Sequence, residues 1–186
     1  VSCLGLVGSE MCIRDSLDLE RPVPLEIIRD CLELALQAPT GSNRQDWCWL
    51  VVTNTDRRQA LAELYRKNAT VRLEAAHQKA LAAGETQDSR VFDSARYLAE
   101  RLQDVPVHVI PCIRTENLPA EPSRDAWARM MGSIFPAVWS FQLALRARGL
   151  GSVLTTLHLR CEEEAAELLG ITGDVMLVGL LPVACT

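Results

Sequence analysis

The sequence predicts a three-layer α/β or α+β domain, a sheet covered by helices on both faces. Two observations carry this. Helical and strand patterns follow one another in the order α–β–α–α–β–α–β–α–β, and the strand segments are short apolar runs that need cover. Size and composition agree: 186 residues, 48% hydrophobic and 23% charged, fit one globular domain with a substantial core.

The first helix is predicted from Pro24 onward, where Ile27, Ile28, Cys31, Leu32, Ala35 and Ala38 recur at three- and four-residue spacing. It ends at Pro39, which cannot continue a helix and pushes Ala38 out of the helical region. A polar turn, Thr40-Gly41-Ser42-Asn43, leads into Trp47–Thr53, apolar on both faces and predicted as a buried strand. Asn54-Thr55-Asp56 supplies cap chemistry for a helix from about Arg57, continuing with a break to about Ala83. A polar loop at Gly84–Asp88 precedes a helix over Ser89–Gln103. Val105–Ile113 is the second strand, and its Pro111 must sit where no ladder donor is needed. After the loop Arg114–Arg124, a long helix spans Asp125–Arg148, with Pro136 as a kink or break, and stops at Gly149-Leu150-Gly151. Ser152–Leu159 reads as a strand rich in β-branched residues. Glu162–Leu169 is a short helix closed by Gly170, and Asp174–Val183 is a last buried strand.

The bulk numbers exclude several classes. A net charge of −5, with no run of Lys or Arg, argues against nucleic-acid binding. No apolar run approaches the ~20 residues of a membrane-spanning helix. Seven cysteines at wide, irregular spacing make a poor disulfide framework, and Cys31 and Cys48 read as small core residues, so a reducing, cytoplasmic setting is expected. Val1–Ser16 has neither a period nor a cap and is read as a non-native or disordered leader. Residues 17–186 then form a single domain.

The chemistry-bearing residues are few. His77, His108 and His158 lack ligand-spaced partners, so no metal site is expected. His158, close to Thr155-Thr156, is the best histidine for a site role. No nucleophile signature is present, and no catalytic side chain is assigned. Glu162-Glu163-Glu164 is explained by the helix dipole more simply than as paired acids. Dinucleotide and Walker loops are missing. Two polar turns beside strands remain, Pro39–Asn43 and Ser152–Thr156. They offer hydroxyls, an amide side chain and strand-edge N–H groups without a strong acid or base. That inventory suits a protein that grips a cofactor and lets it react.

At these residues the sequence resembles the nitroreductase family of FMN-dependent oxidoreductases. Ala38-Pro39-Thr40-Gly41-Ser42-Asn43-Arg44-Gln45-Asp46-Trp47 is similar to the family's Ala-Pro-Ser-x-x-Asn-x-Gln-Pro-Trp. Gly149–Thr156 is similar to its Gly-Leu-Gly-Ser/Thr strand. Leu168-Leu169-Gly170-Ile171 with Leu180-Leu181-Pro182-Val183 resembles its closing segment. The three segments run in family order over about Pro22–Thr186.

The resemblance implies an α+β flavoprotein with a mostly antiparallel central sheet, an intertwined homodimer with FMN at the interface. NADH or NADPH would reduce the flavin, and the flavin a nitroaromatic, quinone or similar small acceptor. Pro39, Thr40, Gly41 and Asn43 would contact the ring and ribityl chain. Leu154, Thr155 and Thr156 would lie along the ring edge near N5 and O4. Only the backbone N–H of Leu154 could serve N5, which favours two-electron hydride chemistry. The family's phosphate-gripping segments have no counterpart: Val1–Ser16 stands at one, Arg14 is not assigned the role, and the chain stops at Thr186 before the other. The chain is therefore expected to be a fragment with a weakened phosphate grip. Asp46 in place of Pro, and Trp139-Ser140 in place of Gln-Asn, leave the substrate subgroup open. Two other readings stay open: a non-catalytic flavin-binding or dimerisation domain, and a reductive dehalogenase-like variant of the same fold. A metabolic α/β enzyme without flavin is the blander alternative. Arg66-Lys67-Asn68 reads as a solvated helix face or, less simply, as an entrance lining.

Overall fold

Pro24, with extended φ/ψ, opens helix α1 (Leu25–Ala35), which buries Ile28, Cys31 and Ala35 on one stripe. The computed structural model describes residues 16–84, 86–116, 118–119, 121–171 and 173–186. The expected leader Val1–Ser16 lies outside them except for Ser16. Strand β1 (Trp47–Val52) follows the polar turn. The Asn54 side chain accepts from the Arg57 N–H at 2.9 Å and starts α2 (Thr55–Ala82), which runs without the expected break. Helix α3 (Thr86–Arg101) starts three residues earlier than predicted. Strand β2 (Val107–Arg114) leads to α4 (Arg124–Arg146), capped by Ser123 and continuous through Pro136. Gly149, with φ +73°, turns the chain into β3 (Leu150–Ser152). Then come α5 (Glu162–Leu169), closed by left-handed Gly170, and strands β4 (Val175–Leu177) and β5 (Leu181–Cys185).

The sheet order is β1-β2-β5-β3, with β4 also on β2, and every pairing is antiparallel. Alternate residues of β2 serve opposite layers. Val107, Val109 and Ile113 pack in one core with Ile28, Phe141 and Leu145 of α1 and α4. Ile110 and Cys112 pack in the other with Leu61, Leu98 and Ala165 of α2, α3 and α5. The result is the predicted α/β/α layering.

Three strand expectations need correction. First, β1 is an edge strand, half-buried along most of its length, and Val51 is 40% exposed. Its apolar character comes from Trp47 and Trp49 on one face and Cys48 and Leu50 on the other. Second, Ser152–Leu159 is not a strand. Pairing stops at Ser152 apart from a bridge at Thr155, and Leu157–Cys161 is a 3-10 turn. Third, Asp174–Val183 is broken at Val178–Leu180.

Pro111 accounts for the break. Its carbonyl accepts from the Val178 N–H at 2.9 Å, but it has no N–H to return. The register of β2 slips by one residue between its pairing with β4 and its pairing with β5, opposite Pro111. The proline thus sits at a bulge, where the missing donor costs least. On its other side Pro111 faces Trp49. Arg114 N–H donates to Asp46 O at 2.7 Å, so the alternation of the ladder makes Trp49–Pro111 a non-hydrogen-bonded pair.

Phe141 is fully buried, its ring tilted 45° against Trp49 at 5.8 Å between centroids. Phe141→Ala should lower unfolding stability by about 3–5 kcal/mol in urea titration. A loss below about 1 kcal/mol would contradict the packing described.

Candidate functional site

The first polar turn is built by backbone strain that short polar residues tolerate. Ser42, Asn43 and Gln45 all have positive φ (55°, 54° and 50°). Asn43 N–H donates to Thr40 O at 3.1 Å, and Gln45 N–H to Thr40 Oγ1 at 3.3 Å. The Asn43 side-chain oxygen accepts from Gln45 Nε2 at 2.8 Å, which leaves its NH2 facing outward. Gly41 N–H donates to Ser133 Oγ at 3.1 Å and so fixes the turn on α4. A cleft open to solvent lies against it. Thr40 and Gly41 line this cleft with Trp47, Arg114, Arg129 and Met130. Pro39 and Asn43 are exposed at its margin and do not line it.

The second turn is pinned to the bulge. Thr155 exchanges both backbone hydrogen bonds with Leu180, at 2.9 and 2.8 Å. By the alternation of an antiparallel ladder, the neighbouring Leu154 N–H then points away from β5. Among the described residues, that side is the open edge of the sheet beyond β3 and the Leu154 N–H has no acceptor. The Leu154 side chain lies over Gly179, where a Cβ would come within 2.6 Å of its Cδ1. The Thr155 and Tyr65 hydroxyls are hydrogen-bonded at 3.0 Å, which ties this turn to α2. Leu154 and Thr155 are half-buried and Thr156 is exposed. None of the three lines the cleft beside Thr40 and Gly41.

Other candidates resolve into structural roles. The Glu162 carboxylate accepts from Leu177 N–H at 3.0 Å, and Glu164 pairs with Lys67 at 2.9 Å, so the triplet is not a pair of working acids. Arg66 donates to Gln103 and Ala99, and Asn68 to Leu64 O and Cys161 Sγ, so this segment fastens α2 to its neighbours. His158 is fully buried in the 3-10 turn, away from both polar walls' exposed faces, and neither ring nitrogen has a partner among the described residues. Among the described residues no cluster of ligand side chains could hold a metal ion. Sequence reasoning missed Ser133 and Tyr65. Both act across the fold, on a turn more than 85 residues away in sequence, and no local pattern marks them.

A profile of the nitroreductase family matches residues 11–184. The chain belongs to the nitroreductase family. It has the family's α+β fold with an antiparallel sheet, as the resemblance implied. Iodotyrosine deiodinase 1 of Rattus norvegicus is 24% identical over 162 residues, which are 87% of this chain and 55% of that protein. The chain thus spans about half the length of the curated relative it matches. A crystal structure of oxidized iodotyrosine deiodinase bound to FMN and 3-iodo-L-tyrosine superposes with TM-score 0.69 and 22% identity, covering 91% of this chain and 82% of that one. The FMN- and NADPH-dependent nitroreductase NfnB from sphigopyxis sp. strain HMH gives TM-score 0.64 and 19% identity, covering 97% and 89%. Within this nitroreductase-family chain, no helix is long and apolar enough to cross a membrane, among the described residues.

Burial holds both His108 and His158 at about 4, well below the usual histidine value of 6.5, because the charged ring would be desolvated. An unfolded histidine protonates near 6.5 while the folded ones stay neutral. Their contribution is therefore complete above pH 6.5 and is lost as pH falls from 6.5 to about 4, on the order of 3 kcal/mol for each ring. Urea unfolding across that range should show a falling midpoint, and His158→Leu should make the fall shallower. An unchanged slope in the variant would contradict the assignment.

Proposed function

We propose that this protein is an FMN-dependent oxidoreductase that passes hydride from NADH or NADPH to a small acceptor such as a nitroaromatic or quinone. The observation that carries the reading is the outward-facing Leu154 N–H at the open edge of the sheet. Among the described residues it is a donor without an acceptor, at the position where the resemblance puts flavin N5. A half-buried N–H of this kind is stabilised by a ring nitrogen that can accept from it.

The residues present fit the cofactor. FMN, when bound, supplies reversible hydride storage and so removes the need for a catalytic side chain. The turn Pro39–Asn43 offers the outward Asn43 amide, the Ser42 hydroxyl and a glycine backbone that a ring can approach closely. Leu154 would hold the ring edge through its N–H. Thr155, fixed by Leu180 and Tyr65, would keep that N–H aimed, and Thr156 would face the ring periphery. Among the described residues the second wall does not line the cleft beside Thr40 and Gly41, which supports a flavin held between two copies. Exposed apolar side chains on the α1 and α4 layer, among them Leu34, Leu36, Trp127, Trp139 and Leu143, would be covered in such a homodimer.

A second reading has its own support. The similarity to iodotyrosine deiodinase 1, in sequence and in fold, favours reductive dehalogenation of a small aromatic acceptor on the same flavin. Mixing the reduced protein with a nitroaromatic and, separately, with 3-iodo-L-tyrosine distinguishes the two by which one reoxidises the flavin.

Purified protein mixed with FMN should acquire a protein-bound flavin spectrum that NADH or NADPH bleaches. Asn43→Ala should weaken FMN binding about tenfold, the loss of one hydrogen bond worth ~1.4 kcal/mol, read by flavin fluorescence titration. A colourless protein that takes up no FMN would overturn the proposal. Bound FMN that neither nicotinamide reduces would favour a non-catalytic binding domain.

A further inference from the structure

Cys48 and Cys112 lie directly opposite each other on β1 and β2. Partners in an antiparallel ladder point to the same face, so both side chains enter the core formed with α2, α3 and α5. The Arg114–Asp46 backbone bond lies two residues along the ladder, which makes Cys48–Cys112 a hydrogen-bonded pair. The Cα atoms of such a pair are roughly 5.5 Å apart, inside the range of roughly 4.4–6.8 Å that a disulfide spans. Both cysteines are free thiols.

The two differ in a way that assigns roles. Cys48 is half-buried on the edge strand, whereas Cys112 is fully buried and its thiol donates to Ile110 O at 3.5 Å. Hydrogen bonding from Cys112 lowers the Cys48 thiol to about 7 against the cost of burial, with the Arg114 guanidinium assisting. Cys112 is raised by the same hydrogen bond and by burial, and the nearby Glu162 carboxylate adds to this. The less buried cysteine, Cys48, is therefore the nucleophile and the fully buried Cys112 the resolving thiol.

We infer that Cys48 and Cys112 form a peroxide-reactive dithiol that closes to a cross-strand disulfide. The Cys48 thiolate attacks one oxygen of hydrogen peroxide. The O–O bond breaks, and the departing hydroxide takes a proton to become water. Cys48 is left as a sulfenic acid. The Cys112 sulfur, losing its proton to solvent, then attacks the Cys48 sulfur. The S–O bond breaks and a second water leaves. Two thiols lose two electrons and two protons, and the peroxide is reduced to two waters. The bond locks edge strand β1 to β2 beside Trp47 and Arg114, which line the cleft. This site is independent of the flavin, so its test does not depend on the proposed activity.

The intact protein, treated with hydrogen peroxide at pH 8, is alkylated, digested with trypsin without reductant and analysed by mass spectrometry. The expected product links the peptides 45–57 and 102–114, lighter by two hydrogen atoms and separated again by dithiothreitol. Cys112→Ala should stop at a Cys48 sulfenic acid that dimedone labels, and Cys48→Ala should leave Cys112 reduced. Recovery of both wild-type peptides with free, alkylated thiols would overturn the inference without recourse to any variant. So would linkage of either cysteine to a different one.

Discussion

Strand β2 has neighbours on both sides, and Pro111 at its middle has no N–H to give them. The sheet accommodates this by a one-residue slip between β4 and β5. The slip leaves Gly179 in the gap, and a side chain there would strike Leu154. Leu154 can therefore lie across the bulge, and Thr155 can pair with Leu180 just beyond it. One proline thus fixes where the last strand breaks, and the break fixes the direction of the Leu154 N–H. The second polar wall is a consequence of a backbone defect in the centre of the sheet.

The first wall is made by the opposite means. There the chain leaves α1 at Pro39 and takes three residues of positive φ in succession with one interruption, which costs energy at each non-glycine position. The cost is offset locally by Thr40 and Gln45, and across the fold by Ser133 on α4. A rigid turn of small polar groups presents donors to a ligand without the entropy loss of ordering a loop on binding. Both walls therefore present fixed backbone and short side chains, which suits a cofactor that carries its own reactivity.

Much of this was legible in the sequence. Periodicity placed α4 and α5 to within two residues and the start of α1 at Pro24, because Pro24, Gly149 and Gly170 punctuate them chemically, but α1 ends at Ala35, three residues before the predicted Ala38. Asn54 was readable as a cap for the same reason. Strands were harder. Trp47–Thr53 looked buried because its apolar residues face both layers, and nothing local says that it stands at the sheet edge. Ser152–Leu159 looked like a strand because β-branched residues favour one, yet β5 offers partners only as far as Ser152, and beyond that Thr155 alone pairs, with Leu180. Asp174–Val183 is continuous in hydrophobicity, and its break depends on Pro111, more than 60 residues earlier in the chain. Of the candidate site, the two turns could be picked out by Thr40, Ser42, Asn43, Ser152, Thr155 and Thr156, polar residues beside apolar runs. Their supports, Ser133 and Tyr65, could not, since each is an ordinary residue on a helix face. His158 misled for a related reason: proximity in sequence to Thr155-Thr156 said nothing of the core into which the 3-10 turn directs it.

In the proposed site the turn Pro39–Asn43 and the edge Leu154–Thr156 together hold one flavin. Hydrogen–deuterium exchange of the protein with and without saturating FMN tests it most directly, read on peptides covering residues 38–46 and 150–160. The account predicts that FMN slows exchange in both segments and leaves the core of α2 unchanged. Protection confined to other segments, or to neither, would contradict it.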